Sequence, residues 1–339
     1  MRGAFYHSKD DLKVMETEDP RMRGPLDVVV RVRACGVCGT DIKMLHGEYE
    51  GTNPPVILGH EFAGEVVAAG DGVVNVAVGD RVAIDPNLTC GECFYCRNSQ
   101  ENLCTNMVST GMNQNGGMAE FCVVNSSTAY RVPASLQFND AAFAEPLACV
   151  LNGVERARVS PGETVGIVGL GPIGLLFARV LARAGAARVV GFEVSPERAA
   201  TARRLGVTTV IDPTSRSWLE EAKALTGGRG VDVAIDAVAV PAASKTAVDT
   251  VRRGGRVVIF GIPPHGARLE LDAERLVKSE LEVKGSFIDR FTFPRAISML
   301  AEGSIDVASL VTDVFRLEDA GGAFDAVRSG KGLKVQIHP

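Results

Sequence analysis

The stretch TVGIVGLGPIGLLFARVLARA, residues 164–184, decides the fold. Its first part, Thr164–Leu170, is a short apolar run of β-branched residues punctuated by glycine, which reads as a strand buried on both faces. From Pro172 to Ala184 the apolar residues recur at helical spacing, with proline at the first turn, where its missing N–H is no loss. The junction, Gly169-Leu170-Gly171-Pro172-Ile173-Gly174, is a G-x-G-x-x-G. It has the context that gives the pattern meaning: a strand before it and a helix after it. Gly169 permits the tight turn, Gly171 lets the backbone approach a pyrophosphate, and Gly174 lets helix and strand pack closely. The phosphates are expected on free N–H groups at the helix N-terminus, around Pro172 and Ile173. Glu193 falls at the end of the next expected strand. A carboxylate there accepts hydrogen bonds from the adenosine ribose hydroxyls and repels a 2′-phosphate. The expected cofactor is NAD, with Arg198 near enough to leave room for NADP.

Outward from this unit the same rhythm continues. Strands are expected at Arg188–Phe192, Thr208–Ile211, Val231–Ala237, Arg256–Phe260 and Leu281–Gly285. Helices are expected between them at Pro196–Leu205, Ser217–Leu225 and Ala242–Arg252. Apolar strands joined by helical crossovers make a doubly wound parallel sheet covered on both faces, so residues 149–288 read as a Rossmann domain. Residues 1–148 have another texture. Short strands such as Asp27–Val32, Ala63–Ala69, Arg81–Ile84 and Phe121–Val124 are separated by Gly, Pro and Asp, which predicts an irregular, mostly antiparallel β-barrel-like domain. A helix at Phe293–Ala301 and a strand at Leu333–Ile337 are expected to return to it. Residues 1–148 and 289–339 then form one domain, and the α/β unit is an insertion. At 339 residues the chain is long enough for two cores.

Four of the eight cysteines, Cys90, Cys93, Cys96 and Cys104, crowd into one loop with spacing C-x2-C-x2-C-x7-C. In a reducing compartment such a cluster reads as a metal site rather than a disulfide framework. Four thiolates suit a closed tetrahedral zinc site, structural because no ligand position stays open. The ferredoxin run, C-x2-C-x2-C-x3-C-P, is a different pattern. Two further motifs lie in the same domain: Cys35-Gly36-Val37-Cys38-Gly39-Thr40-Asp41 and Gly59-His60-Glu61. Cys38 and His60 are the thiolate and imidazole that zinc favours. The alternative for His60 is a hydrogen-bonded structural histidine.

Together with Glu145-Pro146-Leu147, these motifs resemble those of the zinc-containing medium-chain dehydrogenase/reductases over essentially the whole chain. The branch resembled is that of the sorbitol, polyol and threonine dehydrogenases, because Glu145 stands where alcohol dehydrogenases carry a cysteine ligand. The resemblance implies a GroES-like catalytic domain with one catalytic and one structural zinc per subunit. It implies oxidation of a secondary hydroxyl of a polyol, sugar alcohol or cyclitol, with hydride passing to NAD. Cys38 and His60 are the implied catalytic-zinc ligands, with Glu61 and Glu145 competing for the third position. Thr40 is implied to take the alcohol proton and Asp41 to orient His60 or a neighbouring ligand. Alcohol dehydrogenases end the proton relay at a histidine where this chain has Lys43; His46 is the candidate substitute, with Glu48 or Tyr49 nearby. Lys334 resembles a position near the cofactor. Cys35 and Cys122 read as buried small hydrophobes. The branch is commonly tetrameric and sometimes dimeric, so a homo-tetramer or dimer is expected.

A formal charge of -5 gives no electrostatic reason to expect nucleic acid or an anionic membrane as partner. The chain meets Lys9-Asp10-Asp11 before any apolar run develops, so a cytoplasmic protein without a signal peptide is expected. Two rival readings stand beside the polyol dehydrogenase. An L-threonine dehydrogenase should present a group for the substrate carboxylate, which no residue here declares. A non-catalytic NAD-binding sensor has no use for an open-sided metal site.

Overall fold

Near-continuous aliphatic strands dominate Cys149–Ile288, one of two units into which the computed structural model divides the chain; the other comprises Met1–Ala148 and Asp289–Pro339. The structure describes residues 1–330 and 332–339. In Cys149–Ile288 six strands lie in the order Thr209–Ile211, Arg188–Phe192, Thr164–Val168, Val231–Asp236, Val251–Ile259 and Glu282–Gly285. Every neighbouring pair is parallel. The order reverses between Thr164–Val168 and Val231–Asp236, the kind of switch point at whose carboxyl ends doubly wound sheets bind ligands. Helices Pro172–Arg183, Pro196–Arg204 and Pro241–Thr250 each begin with proline, whose fixed φ suits the first turn. Val190, Phe192, Ala234 and Val257 of the sheet pack with Ala222, Ala243 and Ala247 of the helices. Phe192 meets Trp218 edge-on at 6.0 Å between ring centroids.

The boundaries shift where backbone geometry overrides apolar pattern. The first strand stops at Val168 because Gly169 takes φ +87 and turns the chain. The helix Pro241–Thr250 ends before Arg252, and the strand after it begins at Val251 rather than Arg256. Val251 is β-branched and extended, and the register shifts there. A helix at Ala273–Lys278, capped by Asp272, has no counterpart among the expected elements.

The hub of the other unit is the strand Asp27–Val37. It pairs antiparallel with Glu61–Ala69 on one edge, and with Phe121–Asn125 and then Lys334–His338 on the other. Arg81–Ile84 and Ala129–Arg131 extend the sheet on one side, and Val311–Arg316 on the other. A second sheet orders Asp11–Glu16, Arg2–Ser8 and Val56–Ile57. Met44, Ile57, Leu58, Phe62, Met118 and Ile337 fill the core between these elements. Among the described residues no helix is long and apolar enough to cross a membrane.

The returning segment is fastened by polar contacts as well. Thr292 donates to the Ala148 carbonyl at 2.7 Å, and buried Asp289 accepts from the Asn87 amide at 3.2 Å. Burial pushes the Asp289 carboxyl up to about 6 despite the Asn87 bond, and Glu101 adds to the rise. Asp85 is raised too, first by burial and then by Asp289. Asp289 thus holds its proton more tightly in the folded chain than in the unfolded one. Stability falls as pH rises from about 4 to about 6 and stays at the lower level above that. Asp289→Asn should therefore raise the melting temperature at alkaline pH, by the equivalent of about 1–3 kcal/mol, and flatten the dependence through the acidic window. Thermal melts across pH check this, and an unchanged midpoint at alkaline pH would clear Asp289 of the effect.

Candidate functional site

The four cysteines of the 90–104 loop converge in space. Paired strands Asn87–Leu88 and Val108–Ser109 bracket the loop. Sulfur–sulfur separations are 3.5 Å for Cys90–Cys104, 3.6 Å for Cys93–Cys96 and 4.0 Å for Cys90–Cys96. Four sulfurs about 2.3 Å from a zinc would stand about 3.8 Å apart, so the set fits a tetrahedral zinc ion. Backbone N–H groups of Cys90, Cys93 and Asn106 each point at a sulfur at 3.4 Å. Backbone N–H donors hold the Cys93 thiol down to about 6, whereas burial and the neighbouring thiols push Cys96 up to about 12.

The second cluster is assembled by the hub strand and its neighbour, where Gly36 pairs with Glu61. Cys38 caps the N-terminus of the helix Gly39–Leu45. Asp41, fully buried, accepts from the Cys38 N–H at 2.8 Å, and its other oxygen is 3.4 Å from His60 Nδ1. That second contact is not aligned as a hydrogen bond, and both atoms are buried without a hydrogen-bond partner. One ligand atom from each of Cys38, His60 and Glu61 lies within 4.8 Å of the others. Burial alone would lower the His60 pKa, but Asp41 and Cys38 outweigh it and hold the imidazole well above its ordinary range. The pocket therefore favours a cation at His60. A sulfur, a nitrogen and a carboxylate oxygen in such a field fit a zinc ion.

Glu61 is not alone. It accepts a hydrogen bond from the Lys334 ammonium, and both side chains are buried. Gly36 makes the room: a Cβ there would stand 2.1 Å from Glu61 Oε2 and 2.8 Å from Lys334 Cε. Burial would lower the Lys334 pKa, yet Glu61 and then Cys38 raise it above the usual value. The resemblance alone puts Lys334 near a cofactor; the structure adds this carboxylate partner. The signal in the sequence is a lysine at the start of an apolar strand, since a buried charge needs a counter-charge.

The remaining residues singled out from the sequence are placed as follows. Glu145, buried in the first turn of Ala144–Ala157, senses Lys334 but lies outside the 4.8 Å group. Thr40 is half-buried in the first turn of the Cys38 helix. His46 caps that helix's far end, about 12 Å along it at the 1.5 Å rise per residue. Its Nε2 is 3.9 Å from Asp10. Burial raises the Tyr49 pKa, and the group also feels His60 and Cys38, so Tyr49 belongs to the cluster's surroundings. Cys35 and Cys122 are buried outside any disulfide, and their thiols donate to backbone carbonyls.

In the α/β unit the glycine turn has the form its spacing predicts. Gly171 is the extended N-cap of Pro172–Arg183 and supplies no side chain, which leaves the first N–H groups of the helix open. Gly174 is indispensable, since a Cβ there would stand 1.9 Å from the Gly169 carbonyl oxygen. Glu193 is buried, and its carboxylate accepts from Leu170 N at 2.8 Å and Ser195 N at 2.9 Å. It ties the glycine turn to the end of the second strand. The backbone of Arg198 is capped by the Ser195 hydroxyl.

Residues 24–134 match the family model described as alcohol dehydrogenase GroES-like domain, and residues 172–302 match that of zinc-binding dehydrogenase. A sorbitol dehydrogenase from Bacillus subtilis is 32% identical over 345 residues, covering 100% of this chain and 97% of that protein. A D-arabitol-phosphate dehydrogenase from Enterococcus avium is 33% identical over 96% of this chain and 92% of that one. A zinc-binding dehydrogenase from Sinorhizobium meliloti, solved with NADP, superposes with TM-score 0.95 at 36% identity, covering 100% of this chain and 99% of that one.

The geometry around Gly36 makes a direct expectation. Gly36→Ala should cost the chain one equivalent of zinc while leaving the four-cysteine loop loaded, because the added methyl displaces Glu61 and Lys334. Metal content by mass spectrometry under native conditions reads this directly. Full zinc content in the variant would mean that Glu61 does not help hold the ion.

Proposed function

Because the chain belongs to the zinc-binding dehydrogenase family, we propose that it oxidises a secondary hydroxyl of a polyol, sugar alcohol or cyclitol and passes the hydride to NAD. The observation that carries this reading is the Cys38–His60–Glu61 group, in which a half-buried thiol meets a buried imidazole and a buried carboxylate and which offers three donors, the number a catalytic zinc takes from protein. Relatives named for sorbitol and for D-arabitol phosphate support a polyhydroxylated substrate.

Zinc, when bound, acidifies the substrate hydroxyl and so eases its conversion to the carbonyl. Cys38, His60 and Glu61 are the ligands proposed for it, with Glu145 as a further carboxylate beside them. Asp41 fixes both the start of the Cys38 helix and the setting of the His60 ring, the second-sphere work that metal histidines need. Thr40 receives the alcohol proton, and His46, beside Asp10, remains the proposed exit to solvent. The open N–H groups of Gly171 and Ile173, on either side of Pro172, hold the pyrophosphate, and Glu193 sets the end of the second strand against a 2′-phosphate. Cys90, Cys93, Cys96 and Cys104 hold the structural zinc. A homo-tetramer or dimer in the cytoplasm completes the proposal, a setting in which eight free thiols stay reduced.

A panel of polyols, cyclitols and L-threonine, followed by NADH formation, should give turnover with at least one polyhydroxylated member. A silent panel with zinc-loaded protein would leave the sensor reading standing. Cys38→Ser should lower turnover more than about 100-fold while leaving NADH binding nearly intact; surviving rates would refute the metal assignment. Glu193→Ala should weaken NAD about tenfold more than NADP. Equal losses for the two cofactors would sink the preference.

A further inference from the structure

Ala239 is held at φ +73 in the turn that follows the strand Val231–Asp236. An L-residue adopts that conformation only under constraint, and such outliers concentrate where ligands bind. The constraint is Asp236, which is fully buried. Its Oδ1 accepts from the backbone N–H of Val238 at 2.9 Å and of Ala239 at 3.3 Å, and its Oδ2 accepts from the Ser244 hydroxyl at 2.6 Å. The backbone is stitched down as well. Ala237 N donates to the Val168 carbonyl at 3.0 Å, while Phe260 N and Gly261 N donate to the Asp236 carbonyl at 3.0 and 3.1 Å. Gly261 makes space for the turn, since a Cβ there would stand 2.6 Å from the Ala239 Cβ.

The turn presents two aliphatic side chains outward: Val238 and Val240 are each 42% exposed. Val238 is laid against the first glycine of the G-x-G-x-x-G, with its Cγ2 2.3 Å from where a Gly169 Cβ would be. A buried carboxylate and a left-handed alanine thus hold two valines in water, which adds nothing to the core. An apolar surface fixed so firmly beside the glycine turn is arranged for a ligand.

We propose that Asp236 is a positioning residue for the dinucleotide: it pins the 237–240 turn so that Val238 forms an apolar wall over the glycine turn. The proposal rests on the reading of Gly169–Gly174 as the dinucleotide turn.

The test is NADH titration of the zinc-loaded chain, followed through emission of Trp218, its single tryptophan. If the wild-type chain binds no NADH, the glycine-turn reading fails and takes this proposal with it. If it binds, Val238→Ala should weaken NADH about fivefold through lost apolar contact. Asp236→Ala should weaken it about tenfold or more, with KM for NAD raised and kcat nearly unchanged. Asp236→Asn keeps an oxygen for the two N–H donors and should restore binding to within about threefold of wild type. The proposal is overturned, with the glycine-turn reading intact, if Val238→Ala binds NADH as tightly as wild type. It is also overturned if Asp236→Asn loses as much affinity as Asp236→Ala. Should Asp236→Ala fail to fold, Val238→Ala decides, because it changes only a side chain and keeps the Val238 N–H that donates to Asp236. A changed subunit count in Val238→Ala at unchanged affinity would assign the valine to a subunit contact and equally overturn the proposal.

Discussion

Lys334 and Glu61 form an ion pair from which water is excluded, so each would be costly to bury without the other. Around them stand the Cys38 thiol, the Asp41 carboxylate and His60, all within one small volume at the end of the hub strand. Gly36 is glycine because the pair needs its missing side chain. Asp41 spends one oxygen on the Cys38 N–H and turns the other toward His60. The arrangement reads as charge compensation: one lysine offsets one carboxylate, and a further cation is invited among the remaining anionic groups. Removing Lys334 would change the charge that Glu61 presents, not merely a contact.

The α/β unit solves a different problem with the same kind of part. Two carboxylates, Glu193 and Asp236, are buried at the ends of the two strands that flank Thr164–Val168, and each is held by backbone N–H groups, with the Ser244 hydroxyl added at Asp236. Glu193 fastens the glycine turn and Asp236 fastens the turn that covers it. Backbone donors hold a loop's shape without placing a charged side chain beside the glycine turn. A lysine or arginine donor in either place would add one.

The alternation of strands and helices from Thr164 to Gly285 was legible because fully buried parallel strands are apolar throughout and need only period and length to be read. The four-cysteine loop was legible because ligand spacing within one loop nearly fixes geometry. Cys38 and His60 were legible as residue types, but their meeting depends on the pairing of Gly36 with Glu61, which no local pattern states. The partnership of Lys334 with Glu61 spans 273 positions and could not be read from either motif. The helix at Ala273–Lys278 was missed because it is short and half-exposed, so no apolar period marks it. The capping and turn-holding work of Asp41 and Asp236 was invisible for a similar reason: a carboxylate's backbone partners are decided by turn geometry.

The hub strand closes on a segment that the ribosome delivers only after the whole of Cys149–Ile288. When Glu61 and its strand leave the exit tunnel, the lysine that will offset its charge has yet to be synthesised, and the whole of Cys149–Ile288 must emerge first. That continuous stretch can complete its own sheet during synthesis, since all its strand partners lie within it. The discontinuous unit cannot. Its Cys38–His60–Glu61 cluster waits, with an uncompensated carboxylate, for the strand Lys334–His338 to slot beside Asp27–Val37. Vectorial synthesis therefore makes the parallel-sheet unit the early product and the completed Glu61 cluster the late one, so a chain stalled short of Lys334 would lack the counter-charge its buried Glu61 requires.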